Sequence, residues 1–393
     1  MRSIDDLLAQ LDHDRVRSMT QELISIPSVN PFGQEPGVGL REQEVGLRYA
    51  ELLTEVGCEV LVDEVSAGRP NVIGVLKGSR PGPTLLLTGH LDTVDVTDYD
   101  DPFTARIEDG RLYGRGSCDM KAALAAFVEV ARVINEHDAD FAGELMIAGI
   151  ADEEDRMIGS VHWSEHGPVP DFAVVGEPTS LKVCPAHKGQ YGAKFRTFGT
   201  AVHSSIRSEG VNAIEKMADL IAGFADYNDE LDSRPAHPLC GNATFSIGTI
   251  NGGEVMSTVP NFCEIEADRR MVPGETVDQV LAEYNDRLHA VAAADSEFRY
   301  ELDGPTMSSA VLDTPLDHPI VTTVADETET VLGTPAIIEA FTGATDAPNF
   351  HCPAVIMGPG SIAQAHTLDE FVPLSELEAA TKIYLRVALS LLS

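Results

Sequence analysis

The chain has 393 residues, more than one hydrophobic core normally serves, so two domains are expected. Its 63 acidic residues against 27 basic ones leave a formal charge of −36, which repels nucleic acid and anionic lipid and sets both aside as partners. Hydrophobic residues make up an ordinary 43%, no apolar run could span a bilayer, and the charged start "MRSIDDLLAQ" lacks the apolar core of a signal peptide, so a soluble, cytoplasmic protein is expected.

The acid is spread along the whole length rather than gathered in a tail, and the apolar content is normal, which argues against disorder. Only seven Lys are present, so Arg carries most of the positive charge. Self-repulsion on this scale destabilises a compact state unless salt screens it; at molar salt the Debye length falls to about 3 Å. The composition therefore reads as that of a protein built for a salt-rich cytoplasm, as in a halophile, with a merely acidic mesophilic enzyme as the other reading. The Cys at 58, 118, 184, 240, 263 and 352 form no CxxC pair and read as reduced thiols, most of them buried.

In chain order, "VGLRYAELLTEVG" (45–57) has helical spacing and stops at a Gly. "CEVLVDEV", "NVIGVL" and "TLLLTGH" follow as short strands. "DMKAALAAFVEVARVINEH" (119–137) is an Ala-rich helix, "ELMIAGI" (144–150) a buried strand followed by "ADEEDRMIGS", and "DFAVVGE" (171–177) another strand. Almost wholly apolar strands alternating with helices predict an α/β fold, a mostly parallel mixed sheet with helices on both faces. The middle differs. "YGAKFRTFGT", "ATFSIGTI" and "CEIEADRRMV" alternate in polarity, and "GVNAIEKMADLIAGFADYND" and "VDQVLAEYNDRLHAVAAA" (277–294) read as helices. This is the pattern of an inserted α+β domain over 190–303, with 1–189 and 304–393 forming one discontinuous domain around it. The last part predicts a helix near 317–331, strands "AIIEA" and "AVIMGP", and a final helix over 375–392.

Chemistry-bearing residues gather at strand ends, where open α/β sheets bind ligands. His90 and Asp92 follow "TLLLTG"; Glu153 and Glu154 follow "ELMIAGI"; Glu177 follows "DFAVVG"; Asp119 opens a helix after "YGRGSC". Singly, each has a plainer reading: Asp92 as a turn residue, Asp119 as a helix N-cap, "ADEED" as a solvated helix start, Glu177 as a strand terminus. Jointly they would place five carboxylates and a histidine on one sheet edge. That cluster repels itself unless one or two metal ions neutralise it, and His with carboxylate oxygens suits Zn²⁺.

The runs "GHLDTV", "LYGRGSCDMK", "ADEEDRMIGS", "VVGEPTS", "AHKG", "VHSSIRSEGVNAIE", "RRMVPG" and "GPGSIAQAHTLDE" cover nearly the whole chain. In this order they resemble the two-zinc amidohydrolase and peptidase family of acetylornithine deacetylases, succinyl-diaminopimelate desuccinylases, aminoacylases and glutamate carboxypeptidases; the deacetylase branch is the most similar. The resemblance implies that His90, Asp119 and Glu177 hold one divalent metal, and Glu154, His366 and the shared Asp119 the other. The metals are expected to be Zn²⁺, with Co²⁺ or Mn²⁺ as alternatives. It implies Glu153 as general base, and Asp92 as acceptor of the second ring N–H of His90. His203 would stabilise the oxyanion, often across a dimer interface, and Arg270 would bind a substrate carboxylate. Ser257 stands where some relatives carry an Asn that grips substrate. The implied activity is hydrolysis of an N-acyl amino acid by a homodimer, with a desuccinylase, a dipeptidase or carboxypeptidase, and a catalytically inactive metal-binding relative as the other readings.

The charge generates the first prediction. Thermal unfolding followed by circular dichroism should shift to higher temperature from low to molar KCl; an unchanged melting curve would sink the high-salt reading.

Overall fold

The computed structural model describes residues 3–33, 41–137 and 139–393. They divide into two units: 1–186 with 313–341 and 345–393, and 187–312 with 342–344. The sequence reading ends the insertion at 303. The second unit runs on to Leu312 because the Arg299–Ser309 strand pairs antiparallel along the Gly189–Phe198 strand of the same sheet.

The first unit is built on a nine-stranded mixed sheet. Its centre is four parallel strands in the order Ala142–Ile150, Arg80–His90, Phe172–Val175, Ala354–Ile356. Antiparallel pairing flanks it: Arg69–Lys77 and then Glu59–Ser66 on one side, Val183–His187 on the other. The sheet is thus parallel at its core and antiparallel at its margins. Every residue from Leu85 to His90 and from Leu145 to Ile150 is buried, so both faces of these strands are covered, which explains apolar runs without alternation.

The Lys121–Glu136 helix lies against the Arg80–His90 and Ala142–Ile150 strands and is itself covered by the His13–Ser25 and Leu374–Leu391 helices. Its first eleven residues are all buried, hence its wealth of Ala, which lets neighbouring backbones approach closely. One glycine is obligatory near the site. A Cβ on Gly159 would stand 2.5 Å from the Ala151 carbonyl oxygen and the Asn71 side chain. That side chain pins the end of the Ala142–Ile150 strand: it accepts from the Ala151 N–H at 3.1 Å and donates to the Gly159 carbonyl at 2.8 Å.

The second unit is a four-stranded antiparallel sheet in the order Thr244–Gly252, Phe262–Met271, Gly189–Phe198, Arg299–Ser309, covered by the Ala213–Gly223 and Val277–Ala294 helices. Burial alternates along Phe262–Met271, as one covered face requires. The single helix expected over 210–229 is two, Ala213–Gly223 and Tyr227–Asp232. The break falls where Phe224 and Tyr227 both turn inward onto Phe245 and Tyr284, with Phe195 beside Phe224 and Tyr284, and aromatic packing outweighs helical continuity. Among the described residues no helix is long and apolar enough to cross a membrane.

Candidate metal centre

All four parallel strands deliver a functional side chain at their carboxyl ends. His90 is the last residue of its strand and is buried. Glu153 and Glu154 lie three and four residues beyond Ile150, and Glu177 two beyond Val175. His366 lies in the turns after Ala354–Ile356, in the left-handed region with φ 63°. Asp119 precedes the Lys121–Glu136 helix.

The structure brings the five expected donors together around Asp119. Asp119 Oδ1 lies 2.8 Å from His90 Nε2, and Oδ2 lies 3.3 Å from His366 Nε2. Glu177 Oε1 is 3.9 Å from His90 Nε2, and Glu154 Oε2 is 3.2 Å from His366 Nε2. Donors about 2.0–2.2 Å from a tetrahedral ion sit roughly 3.3–3.5 Å apart, so these spacings suit shared ions with little adjustment. The two oxygens of Asp119 face different histidines, as a bridging carboxylate requires. Among the described residues Glu154 Oε1, which is buried, has no hydrogen-bond partner, and a cation would satisfy it. The residues present therefore fit a pair of divalent ions.

Electrostatics point the same way. Burial, with Glu177 close by, pushes Glu153 well above the usual carboxylate range; burial, with Asp119 close by, does the same to Glu177 against the opposing pull of His90. Burial and Asp119 raise Glu154 to about 7. Burial alone would raise Asp119 too, but hydrogen bonds from His366 and His90 hold it below its ordinary value. Hydrogen bonds to Asp119 and Glu154 lift His366 to about 10. The centre carries more buried negative charge than its histidines neutralise.

Asp92 acts differently from the expectation. The His90 Nδ1–H points to the main-chain carbonyl of Asp92 at 3.0 Å, while the nearer carboxylate oxygen is 3.5 Å away. That carboxylate is engaged elsewhere: Oδ1 accepts from the Glu153 N–H and Oδ2 from the Glu154 N–H, both at 3.1 Å, and Oδ2 also from Asn30 Nδ2 at 2.8 Å. It holds the peptide of the glutamate pair, while its own carbonyl orients the histidine.

Glu370 does the same for Asp119. Its Oε1 accepts from the Cys118 and Asp119 N–H groups at 2.8 and 3.0 Å, and its Oε2 from the Gly116 N–H at 3.0 Å and from Arg115 at 2.6 Å. Glu370 lies within the run "AHTLDE", but its role could not be read from spacing. Asp346 was missed altogether. Fully enclosed and hydrogen-bonded by Ser160 Oγ, its carboxyl is raised to about 7 by burial and adds to the field on Glu153. The signal available was an acid shortly after the Ile338–Phe341 strand.

The remaining expected residues belong to the second unit. His203 caps the Ser204–Glu209 turn, with Nδ1 2.8 Å from Ser205 Oγ. The Ser257 carbonyl accepts from the Ser204 N–H at 2.9 Å, which sets Ser257 beside the His203 segment. Arg270 is partly exposed and donates to Asp268 at 2.8 Å; its neighbour Arg269 is fully buried against Glu275 and serves the fold.

Proton release on metal binding follows from the pKa values. In metal-free protein His366 keeps its proton up to about pH 10, so at neutral pH an ion must displace it. Apparent metal affinity should fall as pH is lowered from 8 to 6, and calorimetry in buffers of different ionisation enthalpy should show proton release near pH 7.5. Binding with no proton release would place His366 outside the ligand set.

A model of Peptidase family M20/M25/M40 matches residues 86–390. Acetylornithine deacetylase of Proteus mirabilis (strain HI4320) is 32% identical over 376 residues, covering 92% of this chain and 93% of its own. Aminopeptidase PepT of Bacillus cereus shares the fold with a TM-score of 0.79 at 20% identity, covering 98% of this chain and 100% of its own. The YXEP protein of Bacillus subtilis, described as a dinuclear metal-binding peptidase of the M20 family, aligns with a TM-score of 0.72 at 17% identity over 97% of this chain and 98% of its own. The acidic and histidine cluster at the sheet edge thus lies in a chain that belongs to the M20/M25/M40 peptidase family, hydrolytic enzymes acting on amide bonds.

Proposed function

We propose that the protein is a two-metal amidohydrolase that removes the acetyl group from N²-acetylornithine. The observation that carries the chemistry is Asp119 set between His90 and His366, with Glu154 and Glu177 completing the donors and Glu153 half-buried beside them, without a histidine partner among the described residues. Divalent ions there, Zn²⁺ by donor chemistry, with Co²⁺ or Mn²⁺ as alternatives, supply polarisation of the amide carbonyl when bound. Glu153 takes the proton of the attacking water and passes it to the leaving amine. The Asp92 carboxylate keeps Glu153 and Glu154 apart in role by gripping both of their N–H groups. His203 stabilises the oxyanion, Arg270 binds the substrate carboxylate and Ser257 adds a short polar contact. The molecule works in the cytoplasm as a homodimer, in which His203 serves the partner's centre.

The substrate reading rests on likeness and charge. Relatives at 31–33% identity are acetylornithine deacetylases. A succinyl group would call for a further cation, and the two candidates are engaged: Lys188 donates to the Asn242 carbonyl, and Arg207 pairs with Glu215 at 3.6 Å. A net charge of −36 favours a cationic amino-acid side chain.

In the Glu153→Gln variant both metal equivalents should remain bound while kcat falls about 10²–10⁴-fold; loss of metal in step with activity would make Glu153 a ligand. Metal-loaded wild type that binds both ions yet hydrolyses nothing in a broad panel would instead favour a binding protein. In high KCl, kcat/KM for N²-acetylornithine should exceed that for N-succinyl-diaminopimelate and for dipeptides. A preference of about tenfold or more for the succinyl compound, worth about 1.4 kcal/mol of transition-state binding, rejects this substrate. Mixing His203→Ala with Glu153→Gln protomers should restore activity in the heterodimer; verified heterodimers without rescue confine His203 to its own subunit.

A further inference from the structure

Beneath the glutamate pair lies a second cluster of acids, of which only Asp92 has a part in the steps above. Glu42, Asp92 and Asp152 are all buried and approach one another closely. One guanidinium holds two of them. Arg69, only 9% exposed, donates from Nε to Glu42 Oε2 at 2.8 Å and from Nη2 to Glu42 Oε1 at 2.5 Å, and its Nη1 lies 2.6 Å from Asp152 Oδ1. Asn30 Nδ2 closes the cluster, donating to Asp92 at 2.8 Å and to Asp152 at 2.9 Å. The acids are thus already occupied by a fixed cation and an amide, which excludes them as a third metal site.

The neighbour of Asp152 in the chain is Glu153. Asp152 is in the left-handed region, φ 68°, and everything around it is tied down. Its N–H donates to Glu42 Oε1 at 3.0 Å, and its carbonyl accepts from the Met157 N–H at 2.6 Å. Its Oδ2 accepts from the Arg156 and Ile158 N–H groups at 3.3 Å. The Glu153–Glu154 segment has no helix or strand of its own. Its course is set from below by Arg69 acting through Glu42 and Asp152, and by Asn30 acting through Asp92. A planar fork meets two carboxylates at once; an ammonium at the same place meets them poorly.

We infer that Arg69 is a positioning residue of the active centre: by clamping Glu42 and Asp152 it holds Glu153 and Glu154 in register, and so sets affinity at the metal position that Glu154 and His366 share, and turnover. The inference rests on the two-metal reading and adds to it a residue that touches neither metal nor substrate.

The test measures Zn²⁺ binding to metal-free protein by competition with a chromophoric chelator, alongside kcat, KM and melting temperature. The variants are Arg69→Lys and the isosteric Glu42→Gln, with Arg386→Lys as control, since its ion pair with Glu327 lies elsewhere in the same unit. The expected result is one of two binding steps weakened about 10–100-fold in both test variants, a similar loss in kcat, and the other step and KM changed by less than about threefold. Arg386→Lys should move only the melting temperature. Arg69 is purely structural, and the inference overturned, if both steps hold their affinity in both variants, if both steps weaken alike in step with melting, or if neither variant folds. Wild-type protein that binds fewer than two equivalents overturns the two-metal reading itself, a result visible before any variant is made.

Discussion

The constraint on which the rest depends is buried negative charge. Asp92, Asp119, Asp152, Glu42, Glu177 and Glu370 are all buried at or beneath one sheet edge, and the side chain of Glu154 is nearly so. A carboxylate withdrawn from water must be paired, be hydrogen-bonded or give up its charge. The fold uses each remedy in a different place. Asp92 and Glu370 accept main-chain N–H groups, Glu42 and Asp152 share Arg69, and Glu370 also takes Arg115. Those acids become scaffold. Among the described residues Glu153 is left without such relief, Glu177 with only His90 at 3.9 Å and Glu154 with only His366, so the unneutralised charge is confined to the place where cations and substrate would come.

That division explains why the centre sits on loops yet can be rigid. The parallel strands end together, and the segments beyond them have unpaired main-chain donors. In a helix or a sheet those donors would be satisfied by regular pairing; here they are satisfied by the Asp92 and Glu370 carboxylates. Each buried acid therefore orients a ligand-bearing loop and finds its own hydrogen bonds in doing so. The order of the sheet, 142–150 beside 80–90 beside 172–175 beside 354–356, brings together residues far apart in the chain.

The charge of the surface follows a different logic. Exposed ion pairs such as Lys77 with Glu59 contribute little singly and do not offset an excess of 36 negative charges. The acidic surface bears on solubility and salt response, whereas the acidic interior bears on chemistry. Composition cannot separate the two, because Glu44 on the surface and Glu42 in the interior stand two residues apart in the same helical start.

The sequence by itself was enough for the α/β class and for most of the elements it named, though not for the His13–Ser25 and Ile158–His166 helices, because strands buried on both faces lose their alternation and strands of an open sheet keep it. It was enough to single out His90, Glu153, Glu154 and Glu177 beyond apolar strands and Asp119 at a helix start, while His366 came only from the family resemblance. The sequence could not place the break at Phe224, because the competing contacts come from Phe245 and Tyr284 on distant elements. Nor could it give Asp92 its further task, the grip of its carboxylate on two main-chain N–H groups 61 and 62 residues away. Glu42, Arg69, Asn30 and Glu370 carry no local signal at all. A buried ion pair is defined by what it meets in three dimensions, and only the tertiary structure decides which of 63 acids are withdrawn from water together.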